Sequence, residues 1–211
     1  MTQTLLAPEP LEAGMASAWM LGPDVTYLNH GSFGARPRAV YEHQSSLLDE
    51  FERQPVQSIV ADTEAVNSIL RSLDLQPGDE LLIPDHAYNA VHQTLRYVAR
   101  RTGAVVKVVH IPLPIHDEES MVQPILDAFT SRTRLLLIDH ITSPTALVFP
   151  IAGLVRAARD RGVDVLVDGA HGPGMMQLDL DALGATWYVG NLHKWVCAPV
   201  GAAFIATDPS R

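Results

Sequence analysis

The chain has 211 residues, 47% of them hydrophobic and 18% charged, with a formal net charge of -9. Those numbers describe one globular domain with a substantial core and exclude a disordered chain. The acidic balance and the lack of any Lys/Arg run longer than a pair such as Arg100-Arg101 exclude a nucleic-acid footprint and a surface for anionic membranes.

Residues 1–21 carry no basic n-region and no continuous apolar run, and they read as a loose leader; 22–211 read as the domain proper. The segment RAVYEHQSSLLDEFER reads as a helix, with Val40, Leu47, Leu48 and Phe51 as its apolar positions and Pro55 as its stop. ADTEAVNSILRSL reads as a second helix, capped by Asp62 or Thr63, with Val66, Ile69, Leu70 and Leu73 facing inward. QPGDE is a turn, and ELLIP a short strand. AYNAVHQTLRYVARRTG is a helix that stops at Gly103, and AVVKVVHI is a β-branched strand. PLPIHDEES reads as a loop, and MVQPILDAFTS as a helix with Pro124 in its first turn. RLLLIDHI, VDVLVD, ATWYVGN and GAAFIAT are strands, and PIAGLVRAARDRG is a helix between the first two. Strands alternating with helices imply a mainly parallel sheet with flanking helices. Parallel strands are buried on both faces, hence the unbroken apolar runs. No run of about 18 apolar residues is present to cross a membrane.

Ligands of such sheets collect at the carboxyl ends of the strands. Asp85 and His86 follow LLIP; Asp139, His140, Thr142 and Ser143 follow LLLI; Asp168 and His171 follow DVLV; Asn191, His193 and Lys194 follow WYVG. Polar strand ends are common in themselves. Two features exceed that background. Asp168 closes a fully apolar strand and so needs a cation or a strong donor. Lys194 sits between apolar segments, where an amine of depressed pKa can form a Schiff base with a carbonyl compound. A buried Asp that keeps a pyridinium nitrogen protonated, beside such a lysine, is what pyridoxal 5'-phosphate (PLP) requires.

On these residues the chain resembles a known family. DVLVDGAHGPGMMQLDLDALGATWYVGNLHKWVCAPVGAAFI is similar to the cofactor core of class V aminotransferase-fold enzymes, in the isopenicillin-N-epimerase-like and cysteine-desulfurase-like group. YLNHGSFGARP, PGDELLIPDHAYNAVHQTLRYVARRTGA and LLLIDHITSPTALVFPI agree with it. The resemblance implies the large domain of a type I PLP-transferase, without the family's smaller C-terminal domain. It implies that a segment is missing between the first long helix and the phosphate turn. It implies that Lys194 carries the cofactor as an aldimine and shuttles the substrate α-proton, and that Asp168 pairs with the pyridine nitrogen. His171 is expected near the ring or its 3-oxygen, and His86 or Tyr88 stacked on the ring. Thr63, Asn191 and His193 are expected at the phosphate, and Asn29 and His30 at the substrate entrance. The implied protein is cytoplasmic, as the lone cysteine, Cys197, also suggests. It acts on an amino acid and dimerises with itself or with a full-length relative.

Two other functions remain open. One is an inactive truncated paralog that serves as a binding or dimerisation partner. The other is a metal-dependent hydrolase using Asp85, His86, His140 and His171, which no H-E-x-x-H spacing supports. Trp195, Met175 and Met176 are expected to pack, and Cys197 to be a small core residue.

Overall fold

The computed structural model describes residues 15–53, 65–199 and 202–208. The expected phosphate residue Thr63, and Asp62 beside it, lie outside the described residues, as do residues 1–14 of the leader.

The long helix RAVYEHQSSLLDEFER is α1 (Arg38–Arg53) and the second is α2 (Ala65–Ser72). Six strands then form one sheet: β1 (Glu80–Pro84), β2 (Val105–Val109), β3 (Thr133–Asp139), β4 (Asp164–Gly169), β5 (Trp187–Asn191) and β6 (Ala203–Thr207). Their order is β2-β1-β3-β4-β5-β6. All neighbours are parallel except β5 and β6, which pair antiparallel. Chain order reverses at β1, because β2 lies on one side of it and β3 on the other. Such a switch opens a crevice at the carboxyl ends of the strands.

Period-two alternation sends the core to both faces of the sheet. Leu81, Ile83, Leu135, Leu137 and Leu166 pack with α2 and with α3 (Asn89–Thr102) on one face. Leu82, Leu136, Ile138, Val165 and Val167 pack with α4 (Glu118–Ala128) and α5 (Ile151–Arg159) on the other. Each fully buried Leu or Ile contributes about 1.5–3 kcal/mol. The inner face expected of α2 is present, with Val66, Ile69 and Leu70 buried. Gly103 ends α3 in the left-handed conformation, φ 80°, and its N–H bonds to Ala99 O.

Three local expectations are corrected. Residues Glu118–Ser120 are helical rather than loop, because Asp117 and Ser120 form a reciprocal cap: Ser120 N–H donates to Asp117 Oδ1 at 2.8 Å, and Asp117 N–H to Ser120 Oγ at 3.2 Å. Pro124 therefore falls inside α4, not in its first turn. α3 begins at Asn89, two residues later than its apolar pattern suggests. A four-residue helix, α6 (Leu180–Leu183), capped by Asp179, joins β4 to β5.

Candidate active site

Asp139 ends β3 and Asp168 lies one residue from the end of β4; the two are register partners. Both belong to the strand phase that faces α2 and α3, so their carboxyl groups sit side by side on that face. A cavity of about 340 Å³ opens there, lined by both aspartates, Tyr88, Ser143, His171, Asn191, His193 and Lys194. Its size lies within the range of small-molecule sites. Ala65 and Val66 at the start of α2, and Ala90 and Val91 at the start of α3, complete the wall. The N-terminus of α3 thus borders the cavity, where it favours an anionic group.

Lys194 is fixed by its backbone. Gly34 N–H donates to His193 O at 2.8 Å, Cys197 N–H to Lys194 O at 3.2 Å, and Ala198 N–H to Leu192 O at 3.0 Å. A Cβ on Gly34 would lie 2.1 Å from Lys194 O, so only glycine permits this contact. Cys197 is buried as expected and takes φ 60°, which closes the turn after Lys194.

The charge state of Lys194 follows from its neighbours. Trp195 Nε1–H donates to His171 Nδ1 at 3.1 Å. Indole is a donor only, so Nδ1 accepts and the neutral ring carries its proton on Nε2. Nε2 lies 3.3 Å from Lys194 Nζ. An Nε2–H aimed at Nζ needs the lone pair of an uncharged amine. Burial is the main cause that pushes the His171 pKa down to about 4, and an ammonium at Lys194 acts in the same direction, so the ring is neutral in either state of the lysine. Burial also lowers the Lys194 pKa, while Asp168 and Asp139 work against it. Trp195 was expected only to pack; it instead sets the histidine tautomer that faces the lysine.

The two carboxyls are under the opposite pressure. Burial raises the pKa of Asp168, although Ala170 N–H, bonded to Oδ1 at 3.0 Å, opposes the rise, as Lys194 does in its ammonium form. Burial and the adjacent Asp168 charge raise Asp139 to about 8, against the Tyr88 backbone N–H and Lys194. Asp139 Oδ1 is buried and has no hydrogen-bond partner.

The expected site residues divide. Lys194, Asp168, His171, Tyr88, Asn191 and His193 come together in the cavity. His193 Nδ1–H donates to Ala202 O at 3.2 Å, leaving Nε2 for a ligand. His86 does not line the cavity: its Nε2–H donates to Ile111 O at 3.0 Å and its Nδ1 accepts from Thr145 Oγ1 at 2.8 Å. It ties together the loops that follow β1, β2 and β3. Tyr88, two residues on, is 53% exposed and lies against the cavity. Asn29 lines an adjoining cavity of about 260 Å³ that shares Ser143 and His171 with the first. His30 lines neither; it stacks on Trp195, with centroids 6.4 Å apart and planes at 29°. The four residues of the metal reading are dispersed: His140 bonds to Tyr188 Oη at 3.1 Å, and His86 and His171 are engaged as described. Among the described residues no group of three or more metal-binding side chains is assembled.

A nucleophilic amine and a buried carboxylate lining the same cavity suit a ligand with a carbonyl and a cationic ring nitrogen. The family model that matches residues 59–209 is aminotransferase class-V. The chain belongs to the class-V aminotransferase family. Isopenicillin N epimerase of Streptomyces clavuligerus is 30% identical over 91% of this chain and 56% of its own length. Its counterpart in Amycolatopsis lactamdurans is 34% identical over 90% and 58%. A probable chloroplastic L-cysteine desulfhydrase of Arabidopsis thaliana is 30% identical over 87% and 48%. This class-V chain therefore spans a little over half the length of the epimerases it matches. The fold is that of the cystine C-S lyase C-DES in complex with cysteine persulfide, with a TM-score of 0.79 at 22% identity over 89% of this chain and 58% of that one. A C-DES mutant with glycine covalently linked to the PLP cofactor gives a TM-score of 0.77 at 20% identity over 89% and 58%. The PLP cofactor expected from the sequence accords with this family and with the residues lining the cavity.

Proposed function

We propose that this chain is the cofactor-binding part of a PLP-dependent enzyme that acts on an amino acid, with Lys194 as the residue that holds the cofactor covalently. The observation that carries the reading is the Trp195–His171–Lys194 chain of contacts, which turns the Nε2 side of a neutral imidazole toward the Lys194 amine in the cavity that Asp168 also lines. Bound PLP supplies an electron sink for charge that develops at the substrate α-carbon. The protein's own groups do the rest. Asp168 keeps the ring nitrogen protonated. Tyr88 covers one ring face, and His171 donates toward the ring's 3-oxygen. Asn191, His193, Thr63 and the N-terminus of α3 hold the phosphate. Lys194 removes and returns the proton at the α-carbon, and Asn29 lies where substrate enters. His30 acts behind Trp195 rather than on substrate.

Proton movement at the α-carbon is common to epimerisation, transamination and C–S cleavage, so this reading covers all three outcomes. A homodimer, or a dimer with a full-length relative, is part of it: within residues 25–33, Leu28 is 86% exposed, Phe33 58% and Val25 53%, apolar side chains that a second chain could cover. A cytoplasmic setting is part of it too; no helix among the described residues is long and apolar enough to cross a membrane.

The test is α-proton exchange in D₂O. The PLP-loaded chain is incubated with a panel of L- and D-amino acids, cysteine and cystine included, and the amino acids are weighed by mass spectrometry. Deuterium should enter the α-position of at least one. A chain that shows a bound-cofactor band yet exchanges no α-proton would refute the enzymatic reading.

A further inference from the structure

Asp139 has no part in the scheme above, yet it is placed as carefully as Asp168. It ends β3 directly beside Asp168, in register, on the same sheet face and against the same cavity. Asp139 is 3% exposed and Asp168 6%. The Tyr88 backbone N–H favours its charged form, but its buried Oδ1 has no hydrogen-bond partner. An ionised carboxylate does not leave a buried oxygen orphaned beside a second carboxylate without large cost. A carboxylic acid can: its O–H is a donor, and the nearest anion is Asp168.

We propose that Asp139 is a positioning residue that carries the proton of an acid pair with Asp168, so that the pair bears a single negative charge, localised on Asp168. Few other groups face the pair. β4 and the loop after it present Asp168 and neutral His171; the loop after β3 presents Ser143. β5 and the turn after it present Asn191, His193 and Lys194, with the Tyr188 phenol, which burial and the Asp168 charge keep protonated, on the other face. The residue that caps α3 is Tyr88, and the described start of α2 presents the apolar Ala65 and Val66. Lys194 is the one side chain among these described groups with an ammonium form to offset two carboxylates, and its contact with His171 favours the amine. One carboxylate facing an uncharged lysine and a cationic ring nitrogen is the balanced arrangement. The pairing rests on the fold alone; its use in charging the cofactor ring rests on the proposed function.

The test does not require turnover. Burial raises the Asp139 pKa to about 8, above the value near 3.9 of an unfolded Asp, so the folded chain binds more protons between those pH values. Stability contributed by Asp139 is thus full at low pH and falls as pH rises through that window. Denaturant unfolding of the full chain without cofactor is followed from pH 5 to pH 8, for wild type and Asp139→Asn. The wild-type folding constant should fall with pH more steeply than that of the variant, by up to tenfold per pH unit for one proton. Asp139→Asn, a neutral mimic of the acid, should still be labelled at Lys194 by PLP and borohydride. Equal slopes would overturn the acid pair. Loss of the extra slope together with loss of labelling would keep the pair and overturn its neutral role toward the cofactor. Should the variant not fold, infrared spectra of wild type decide: a protonated carboxyl band at pH 7 that fades above pH 9 is expected, and its absence overturns the proposal.

Discussion

Replacing Lys194 with alanine should abolish covalent capture of PLP. The chain contains two lysines, Lys194 and Lys107. Lys107 is no substitute: its ammonium pairs with Glu80 Oε2 at 3.3 Å and donates to Ala128 O at 3.0 Å, at the far end of β1 from the cavity. Three groups there, Thr130, Arg132 and Lys107, hold Glu80 well below the usual carboxylate range, at about 2, so the partner of Lys107 is an ionised carboxylate. Lys194 instead has burial that disfavours its charge and lies 3.3 Å from His171 Nε2, the nitrogen that the Trp195 bond leaves protonated. Reductive labelling of Lys194→Ala should drop to background, while circular dichroism and unfolding show a folded chain. The variant should keep some reversible affinity for PLP, because the α3 N-terminus and Asp168 are untouched. Undiminished labelling would remove Lys194 from its assigned role.

A second large effect concerns stability. Gly169→Ala should destabilise the fold by about 1–3 kcal/mol, the usual cost of overpacking a tight core. A Cβ at Gly169 would lie 2.2 Å from Cε1 and Cζ of Tyr188. The Tyr188 ring cannot swing away easily. It stacks on Phe204, with centroids 6.2 Å apart and planes at 11°, and its hydroxyl meets His140 Nδ1 at 3.1 Å. Gly172 is held to the same limit, since its Cβ would lie 2.2 Å from the Tyr188 oxygen. The glycines after Asp168 therefore admit Tyr188 against the back of the β4 strand end, on the face opposite the cavity. Trimming that ring should relieve the clash, so Gly169→Ala with Tyr188→Ala should cost less than the sum of the two single changes. Additivity in that double-mutant cycle, or a Gly169→Ala effect under about 0.5 kcal/mol, would contradict the packing described.

The sequence displays the layout of the sheet because parallel strands buried on both faces leave unmistakable apolar runs, as in RLLLID and DVLVD. The same logic exposes Asp168 and Lys194: a charge at the end of such a run stands out. Other features leave no such trace. α6 has four residues, too few to show a period. The start of α4 is set by an Asp-x-x-Ser cap within a polar stretch that reads equally well as loop. β6 alternates in burial like any edge strand, and nothing in that alternation says that it runs antiparallel. His86 and Tyr88 are both placed by a turn, where neither helical nor strand phase says which one faces the cavity. Asp139 is visible as a strand end, but its pairing with Asp168 depends on register between strands 29 residues apart in sequence. Trp195 gives no hint in the sequence of its bond to His171, since an indole beside an apolar strand is ordinary packing. Thr63, on which the expected phosphate turn depends, lies outside the described residues.

The most direct measurement is to load the wild-type chain with PLP, reduce it with borohydride, digest it and map the phosphopyridoxyl group by mass spectrometry. With two lysines, the map has few possible answers. The account predicts one label per chain, on the peptide that contains Lys194, with Lys107 unmodified. A folded chain labelled on Lys107, or not labelled at all, would contradict it.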